Sequence, residues 1–316
     1  MFKFLSETCL SYGEEAAKVN LRSGLKAQDE PGKHDTFTNN QVKKRAKWIE
    51  GSKTFQGYTF LAADHMALDK LMPSTYKISI KLNRSKDEFV LHHAATITDK
   101  LKIEISEIKV YIRYIEVIEK IRQDHLKLHG SDVQKFPIVR SEIKVFSESG
   151  TSPNVNLHNI YKDDLPKSIL VLLVNTQRFS GHLQRNPYLF HHYNITHACL
   201  KYNSETIPSD PFTPDISNKR YWREYRSIID SIGLLHDNAS HLVTPELYEN
   251  GFFALAFSTS PDNCYHAHTH EAQTGSVDLQ LKFKEAPGEA FTIILFATYD
   301  VMLTFDSRGE HKALYL

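Results

Sequence analysis

The residues best suited to chemistry form one histidine-rich stretch, Cys264-Tyr265-His266-Ala267-His268-Thr269-His270-Glu271. On an extended chain, residues two apart point to the same side, so His266, His268 and His270 could act together. Imidazole nitrogens are ligands for zinc and iron, and a carboxylate beside them is typical of such sites. The stretch is therefore the one candidate metal site, or pH-sensing site, that the residue types suggest.

The exact spacing of these residues argues against a metalloenzyme. A β-sandwich with two histidines and a glutamate is similar to the cupin metal site, which requires HxH, three or four residues, and then glutamate. Here only two residues separate His268 from Glu271, and Gly275 comes too early. The second cupin half requires histidine after proline-glycine and five residues, but Ile294 follows Pro287-Gly288 at that position. We therefore expect a solvated histidine-rich loop and no metal cofactor.

Other reactive residues lack the partners that catalysis requires. The pairs His92-His93 and His191-His192 are direct neighbours, which face opposite sides of an extended chain and cannot chelate together. Asp35 and Asp163-Asp164 have no evident carboxylate partner, and the chain contains no nucleophile elbow, P-loop, GxGxxG or CxxC pair. We therefore predict no catalytic, cofactor-binding or metal residues, and a protein that is not an enzyme.

The composition removes several further classes. Among 316 residues, 38 basic side chains balance 38 acidic ones, so no overall charge attracts nucleic acid or a membrane surface. The short basic run Val42–Arg45 is better explained as a solvated element end. No apolar run is long enough to span a bilayer, and we interpret the N-terminus as lacking a signal peptide. The odd set Cys9, Cys199 and Cys264 indicates free thiols in a reducing compartment.

The elements that must position any site are mainly β-strands, most clearly near the C-terminus. Val277, Leu279, Leu281 and Phe283 alternate with polar residues, which is typical of a half-buried antiparallel strand. Glu285–Gly288 supplies a turn, Ile293–Phe296 is apolar enough for the middle of a sheet, and Asp300 interrupts before Val301, Leu303 and Phe305 resume the alternation. The pattern predicts three closing strands of a β-sandwich.

Further strands are predicted on both sides of a helix over Glu116–His129. In the first block we predict strands over Phe55–Ala62, Tyr76–Leu82, Phe89–Leu91 and Lys100–Val117, the last with a bulge near Ser106-Glu107. In the second block we predict strands over Ser141–Ser147, Ser168–Val174, Ile195–Tyr202 and Gly251–Ser258. Three prolines indicate irregular structure over Ser204–Asn218. The aromatic stripe that begins with Tyr221, Trp222 and Tyr225 predicts a helix, which packs its stripe into the core or, less favoured, presents it to a partner.

An ordered series of segments resembles the double jelly-roll major capsid proteins of Polinton (Maverick) elements, which are virus-like DNA transposons. The matching segments are Glu7–Gly13 (ETCLSYG), Tyr76–Phe89, Phe136–Phe146, Leu165-Pro166, Asn186–Tyr193 (NPYLFHHY), Ile207-Pro208, Tyr221–Tyr225, Tyr248–Phe257 and the closing strands. They cover nearly the whole chain in order. The resemblance implies an all-β fold with short inserted helices, built as a double jelly roll.

The same resemblance implies a structural function without an active site or cofactor. Such proteins form homotrimers with a pseudo-hexagonal outline, which contact neighbouring capsid trimers or a penton-type protein in an icosahedral shell. No sequence-specific nucleic acid and no membrane insertion are expected. By analogy, Asn186-Pro187 and Tyr221–Tyr225 shape the second jelly roll and its contacts. The implied location is the virion, or the host cytoplasm or nucleus for a chain that does not assemble, and not the secreted fraction.

One departure concerns the start of the chain. Family members carry further strands before the segment that matches ETCLSYG, whereas this sequence starts at Met1-Phe2-Lys3-Phe4. We therefore expect an N-terminally truncated or domesticated copy, with a partial first jelly roll at 1–115, a linker helix and connection at 116–135, and a complete second jelly roll at 136–316. The alternative is a carbohydrate- or protein-binding β-sandwich without catalysis. It predicts a solvent-exposed cluster of aromatic and acid-amide side chains on the loops, to which Tyr221 and Trp222 could contribute only if they face outward.

Overall fold

The computed structural model describes residues 9–26, 29–61, 63–64, 72, 78–94, 96–97, 100–131, 133–232, 240–259, 273–306 and 311–315. Its strands are β1 (Gln134–Glu148), β2 (Asn154–Asp164), β3 (Ser168–Asn175), β4 (Ile195–Tyr202), β5 (Glu205–Phe212), β6 (Ala254–Ser258), β7 (Thr274–Phe283), β8 (Phe291–Phe305) and β9 (His311–Tyr315). Its helices are α1 (Glu14–Asn20), α2 (Asn40–Ile49), α3 (Asp87–Val90), α4 (Glu119–Ser131), α5 (Thr176–Ser180), α6 (Trp222–Ser231) and α7 (Pro245–Glu249).

The strands form two antiparallel sheets with a defined order. Sheet A runs β1-β8-β3-β6, and β9 pairs with the end of β8 beyond the reach of β3. Sheet B runs β2-β7-β4-β5. The first eight strands therefore include the pairs β1–β8, β2–β7, β3–β6 and β4–β5. This order defines a complete eight-stranded jelly roll.

The core lies between the sheets and confirms the strand patterns near the C-terminus. Val277, Leu279, Leu281 and Phe283 of β7 are all buried, and Ile293–Phe296 lies in the middle of sheet A. The turn at Glu285–Gly288 is also confirmed, because it joins β7 to β8. At its tip, Gly288 has a φ of +75° and donates its backbone N–H to the carbonyl of Gly150 at 3.0 Å.

The predicted interruption at Asp300 is wrong, because β8 is one continuous strand from Phe291 to Phe305. The Asp300 carboxylate accepts a hydrogen bond from the Lys167 ammonium, so the strand carries the charge without breaking its ladder. Two further strands, β2 and β9, have no counterpart among the predictions. The irregular structure predicted over Ser204–Asn218 is wrong in its first half, where β5 forms. Proline is tolerated there because β5 is the edge of sheet B and its pairing with β4 is irregular.

The strands predicted in the first block are also wrong for the residues that the structure describes. Residues 55–61, 78–82 and 100–117 adopt no regular structure, and Phe89-Val90 lies in the short helix α3. The bulge at Ser106-Glu107 therefore has no strand to interrupt. An alternating pattern yields a strand only where a neighbouring strand pairs its N–H and C=O groups. The helix predicted over Glu116–His129 is present as α4, shifted by two or three residues.

Both faces of sheet A are covered at its centre. Nearly every residue of β3 and of the first half of β8 is buried, on the outward side as well as the inward side. The Asp64 carboxylate, which precedes the jelly roll, accepts hydrogen bonds from the backbone N–H and hydroxyl of Ser141 in β1. The fold class is thus confirmed: a mostly β protein with short helices and a complete C-terminal jelly roll. Before Gln134, the described residues contain no strand.

Candidate functional site

The most developed polar site lies where residues 29–50 meet the jelly roll. We call it the docking seam; its residues are Asp29, His34, Asp35, Asn39, Arg45, Arg178 and Asn186. Its central contact is an ion pair in which both terminal nitrogens of Arg178 donate to the Asp35 carboxylate, at 2.7 and 2.6 Å. Only 11% of the Arg178 side chain is exposed, so the paired guanidinium is largely removed from water.

The local sequence fixes Arg178 in place. Asn175 ends β3, and its side-chain oxygen accepts hydrogen bonds from the backbone N–H groups of Gln177 and Arg178, which begins α5. The Asn175 amide also donates to Glu289 at 2.7 Å. The backbone of Arg178 is therefore held by a capped helix that is itself tied to the β7–β8 turn, through contacts that do not involve Asp35.

Asn186 connects the two carboxylates of the seam. Its backbone N–H donates to Asp35 at 2.8 Å, and its side-chain amide donates to Asp29 at 2.7 Å. Its side-chain oxygen accepts the backbone N–H of Tyr188 at 2.9 Å, which closes the turn containing Pro187. The segment that the sequence resemblance singled out, Asn186-Pro187, is thus the jelly-roll side of a contact with the preceding chain.

On the side of residues 29–50, the Asp29 carboxylate accepts hydrogen bonds from α2 and from its N-cap residue. Arg45 donates to its carboxylate at 2.7 Å and Asn39 at 3.1 Å. Asn39 is completely buried and also caps α2, because its oxygen accepts the backbone N–H groups of Gln41 and Val42. The basic run over Val42–Arg45 therefore lies on a helix that is anchored at its start, and its arginine is used inside the seam.

The electrostatics of the seam follow from these contacts and from burial. The pKa of Asp35 lies below its ordinary value: burial opposes this, but the hydrogen bonds from Arg178 and from the Asn186 backbone outweigh it. Burial lowers the pKa values of His34 and His191, and the charge of Arg178 acts in the same direction. At neutral pH these shifts favour an ionised Asp35 and neutral imidazoles at His34 and at the neighbouring His191. The Asp35 carboxylate is occupied by donors from the jelly roll, so the seam joins residues 29–50 to the jelly roll.

The other residues that the sequence offered for chemistry are dispersed. His92 stacks on Phe37, whereas the His93 ring contacts the carbonyl of Ala94. His191 lies beside Tyr193, and His192 lies against Phe253. Over the described ranges, no group of three or more His, Cys, Asp or Glu side chains could hold a metal ion. The stretch with His266, His268 and His270 lies outside the described residues. Ile294, at the position of the second cupin histidine, is fully buried in β8.

The aromatic stripe of α6 is mainly a core feature. Tyr221 stacks on Tyr248 at 5.5 Å between ring centroids, and Tyr225 meets the same ring edge-on at 5.4 Å. Tyr221 and Ile228 are buried, whereas Trp222 is 60% exposed. In the binding-module alternative, Tyr221 and Trp222 could contribute only if they face outward, and of the two only Trp222 does.

A second surface feature is apolar. An open groove of about 2760 Å³ lies between sheet A and the residues that precede β1. Ile138 and Phe296 contribute from the jelly roll, and Ile108, Val110 and Ile112 from residues 106–113. Nearby, Tyr111 and Tyr114 are among the most exposed large side chains of the described chain. No described helix combines the length and apolar character needed to cross a membrane.

Sequence reasoning missed the docking seam because its partners are far apart. Asp35 was noted only for lacking a carboxylate partner, and its actual partner, Arg178, is 143 residues away. Two local signals were available: Asn39 and Asn175 each precede a helix by one residue, which is typical of an N-cap. These signals predict two helix starts, but they do not indicate that the two helices meet.

Comparison with known proteins gives a distant sequence relative and several distant structural ones. No family model matches the chain. It is 19% identical over 310 residues to "Uncharacterized protein F54H12.2" of Caenorhabditis elegans, and this match covers 96% of the chain and 72% of the worm protein.

The solved structures that resemble the chain include viral capsid proteins. The TM-score is 0.39 with 9% identity for VP54 of PBCV-1, fitted into a reconstruction of the virophage Sputnik, over 61% of this chain and 54% of that one. It is 0.32 with 12% identity for the mavirus major capsid protein, over 58% and 41%. For the Faustovirus major capsid protein it is 0.34 with 9% identity, over 58% and 35%. The chain thus spans about half of these proteins or less. Because the scores are low, the strand order described above defines the fold.

Proposed function

We propose that the protein is a non-catalytic structural protein of the capsid type. The observation that carries the proposal is the complete jelly-roll order, β1-β8-β3-β6 facing β2-β7-β4-β5. Viral capsid proteins, lectins and cupins share this architecture, so the fold leaves three classes to compare. A buried isoleucine at position 294 and a buried Tyr221 count against the cupin and lectin classes respectively. The ordered sequence resemblance to Polinton capsid proteins favours the remaining class.

Self-association is the physical activity that this function requires. Exposed apolar side chains concentrate in residues 100–118, where Tyr111 is 73% and Tyr114 is 84% exposed. Large exposed apolar patches are typical of protein–protein contact surfaces. We propose that this segment contributes to contacts between copies in a homotrimer, and that trimers meet each other or a penton-type protein in a Polinton-type virion. The domain division at 1–115, 116–135 and 136–316 belongs to the same proposal.

The test is the mass of the full chain in solution, measured by size-exclusion chromatography with light scattering. A trimer gives three times 36.3 kDa, and negative-stain images of that fraction should show a pseudo-hexagonal outline. The double variant Tyr111→Asp, Tyr114→Asp should dissociate the trimer, because it places charges in the apolar contact. Asn156→Asp, on the exposed polar face of sheet B, is the matched control and should leave the mass unchanged. A homogeneous monomer over the whole concentration range would contradict the proposal.

A further inference from the structure

The docking seam contains a buried and closely packed histidine, His34. His34 is 5% exposed, and within the described chain its Nδ1 has no hydrogen-bond partner. Its ring lies directly over Gly251: a Cβ built on Gly251 would stand 2.0 Å from the His34 Cε1 atom. Glycine is required there because any side chain would displace the imidazole. A proton added to this ring would place a charge in a closely packed, nearly dry position.

The charged groups around His34 do not compensate for such a charge. Asp29 and Asp35 favour the imidazolium, but both Asp29 oxygens already accept from Arg45, Asn39 or Asn186. Both Asp35 oxygens likewise accept from Arg178. The Arg178 guanidinium and the imidazole of His191 oppose a positive charge on His34. In each carboxylate, Oδ1 already accepts two hydrogen bonds and Oδ2 accepts one, so most of the acceptor capacity near His34 is used by contacts within the seam.

The jelly-roll side of the seam has the same preference for neutral imidazoles. His191 and His192 follow Phe190 in the loop before β4, and burial is the largest cause that lowers the pKa of each. Arg178 adds to this effect at His191, where Glu289 and Asp35 oppose it; at His192, the neighbouring His191 adds to it and Glu249 opposes it. The Nδ1 of His192 accepts the backbone N–H of Asn194 at 3.0 Å, which it can do only while Nδ1 carries no proton.

We propose that the docking seam is an acid-operated latch: as the pH falls from about 7 to about 5, residues 29–50 leave the jelly roll while its two sheets stay folded. The sign follows from proton uptake. A histidine that is neutral when docked and protonated when released binds more protons in the released state, so docking weakens as the pH falls below the ordinary histidine value of 6.5. Asp35 acts in the same direction only at lower pH, around and below 3.8. This inference goes beyond the proposed function and does not depend on trimer formation.

The test is hydrogen–deuterium exchange of the full chain at several values between about pH 7.5 and about pH 5.5, with labelling times scaled for intrinsic exchange. Amides of α2 should lose protection by about tenfold per pH unit for each proton taken up on release. Amides of β7 should keep theirs. The proposal would be overturned if α2 and β7 lost protection at the same pH, or if the protection of α2 did not depend on pH.

Two variants connect the effect to His34. His34→Phe removes the titrating ring and should reduce the pH slope of α2 protection by about tenfold per pH unit, whereas His158→Gln, on the exposed face of sheet B, should keep the wild-type slope. An unchanged slope in His34→Phe assigns the effect to other groups and overturns the inference. Gly251→Ala should release α2 even at neutral pH, because its Cβ occupies the place of the imidazole. Full α2 protection in Gly251→Ala would show that His34 does not occupy this position, and would overturn the inference as well.

Discussion

Replacing Asp35 by asparagine tests the ion pair at the centre of the docking seam. The two side chains are nearly the same size, so the change removes the negative charge while the shape is kept. In the native chain, the Asp35 carboxylate accepts both terminal nitrogens of Arg178 and the backbone N–H of Asn186. An asparagine amide group would direct its own N–H donors at one of these donors. The Arg178 guanidinium would then be left buried with its charge uncompensated.

The magnitude follows from burial. Removing one partner of a buried ion pair costs about 3–5 kcal/mol. Because 32% of the Asp35 side chain is exposed, we expect the lower end, about 3 kcal/mol, in the free energy that keeps residues 29–50 docked. That is about a hundredfold increase in the population of the released segment. The global free energy of unfolding of the jelly roll should change far less, because the pair lies outside the sandwich core.

The assay is amide exchange of α2 at neutral pH, with β7 amides as the internal reference. The ion pair Arg223–Asp210 offers a matched control, because its side chains are 45% and 86% exposed. Asp210→Asn should therefore change stability by less than about 1 kcal/mol. Adding Arg178→Met to Asp35→Asn should recover part of the loss, since the unpaired charge is then gone. If neither Asp35→Asn nor Asp210→Asn changed the exchange of the α2 amides, the seam would not hold residues 29–50 in place.

Five further substitutions, which form three comparisons, test the jelly roll by urea unfolding. Tyr248→Phe should leave stability unchanged or raise it by about 1 kcal/mol, because the buried hydroxyl has no hydrogen-bond partner in the described chain; a loss above about 1 kcal/mol would contradict this. Gly288→Ala should cost about 1 kcal/mol because its φ is above +70°. Gly150→Ala should cost clearly more, because its φ is also above +70° and a Cβ there would stand 2.0 Å from a backbone oxygen. Equal losses would contradict the geometry. Leu279→Ala, in the core, should cost about 2–5 kcal/mol, whereas the exposed Val139→Ala should cost about 0.5 kcal/mol or less.

The strands that could be predicted from the sequence are those whose alternation of apolar and polar residues is complete within one segment. β7 alternates cleanly because one face meets the core and the other meets solvent. β2 was missed because its alternation is interrupted: Val155 and Leu157 are followed by Tyr161 across an irregularity of two extra residues, where Asn159 has a φ of +52°. β5 was missed because its prolines were interpreted without knowing that it is an edge strand. Position in the sheet decided both cases, and it cannot be read from one segment.

In the residues before the jelly roll, strands were predicted where the described residues have none. Residues 78–82 and 103–112 have alternating apolar side chains, but strand formation depends on a partner at hydrogen-bonding distance. The seam could not be predicted for a related reason, because its hydrogen bonds join residues more than a hundred positions apart. Local patterns give the elements, whereas the contacts between distant elements depend on the whole fold.

The strand order has a consequence for how the chain acquires its structure. Gln134 pairs with Phe305, so β1 cannot pair along sheet A until nearly the whole chain has left the ribosome. Among the described strands, a tight hairpin joins β4 and β5, and β8 and β9 are joined through residues 306–310. The pairs β1–β8, β2–β7 and β3–β6 each close a much longer loop. Folds dominated by such distant contacts fold in about milliseconds to seconds. During synthesis the hairpin can form first, and β1 stays exposed the longest of all the strands. Aggregation during expression should therefore begin at β1, the first of the described strands to be made and the one that waits longest for its partner.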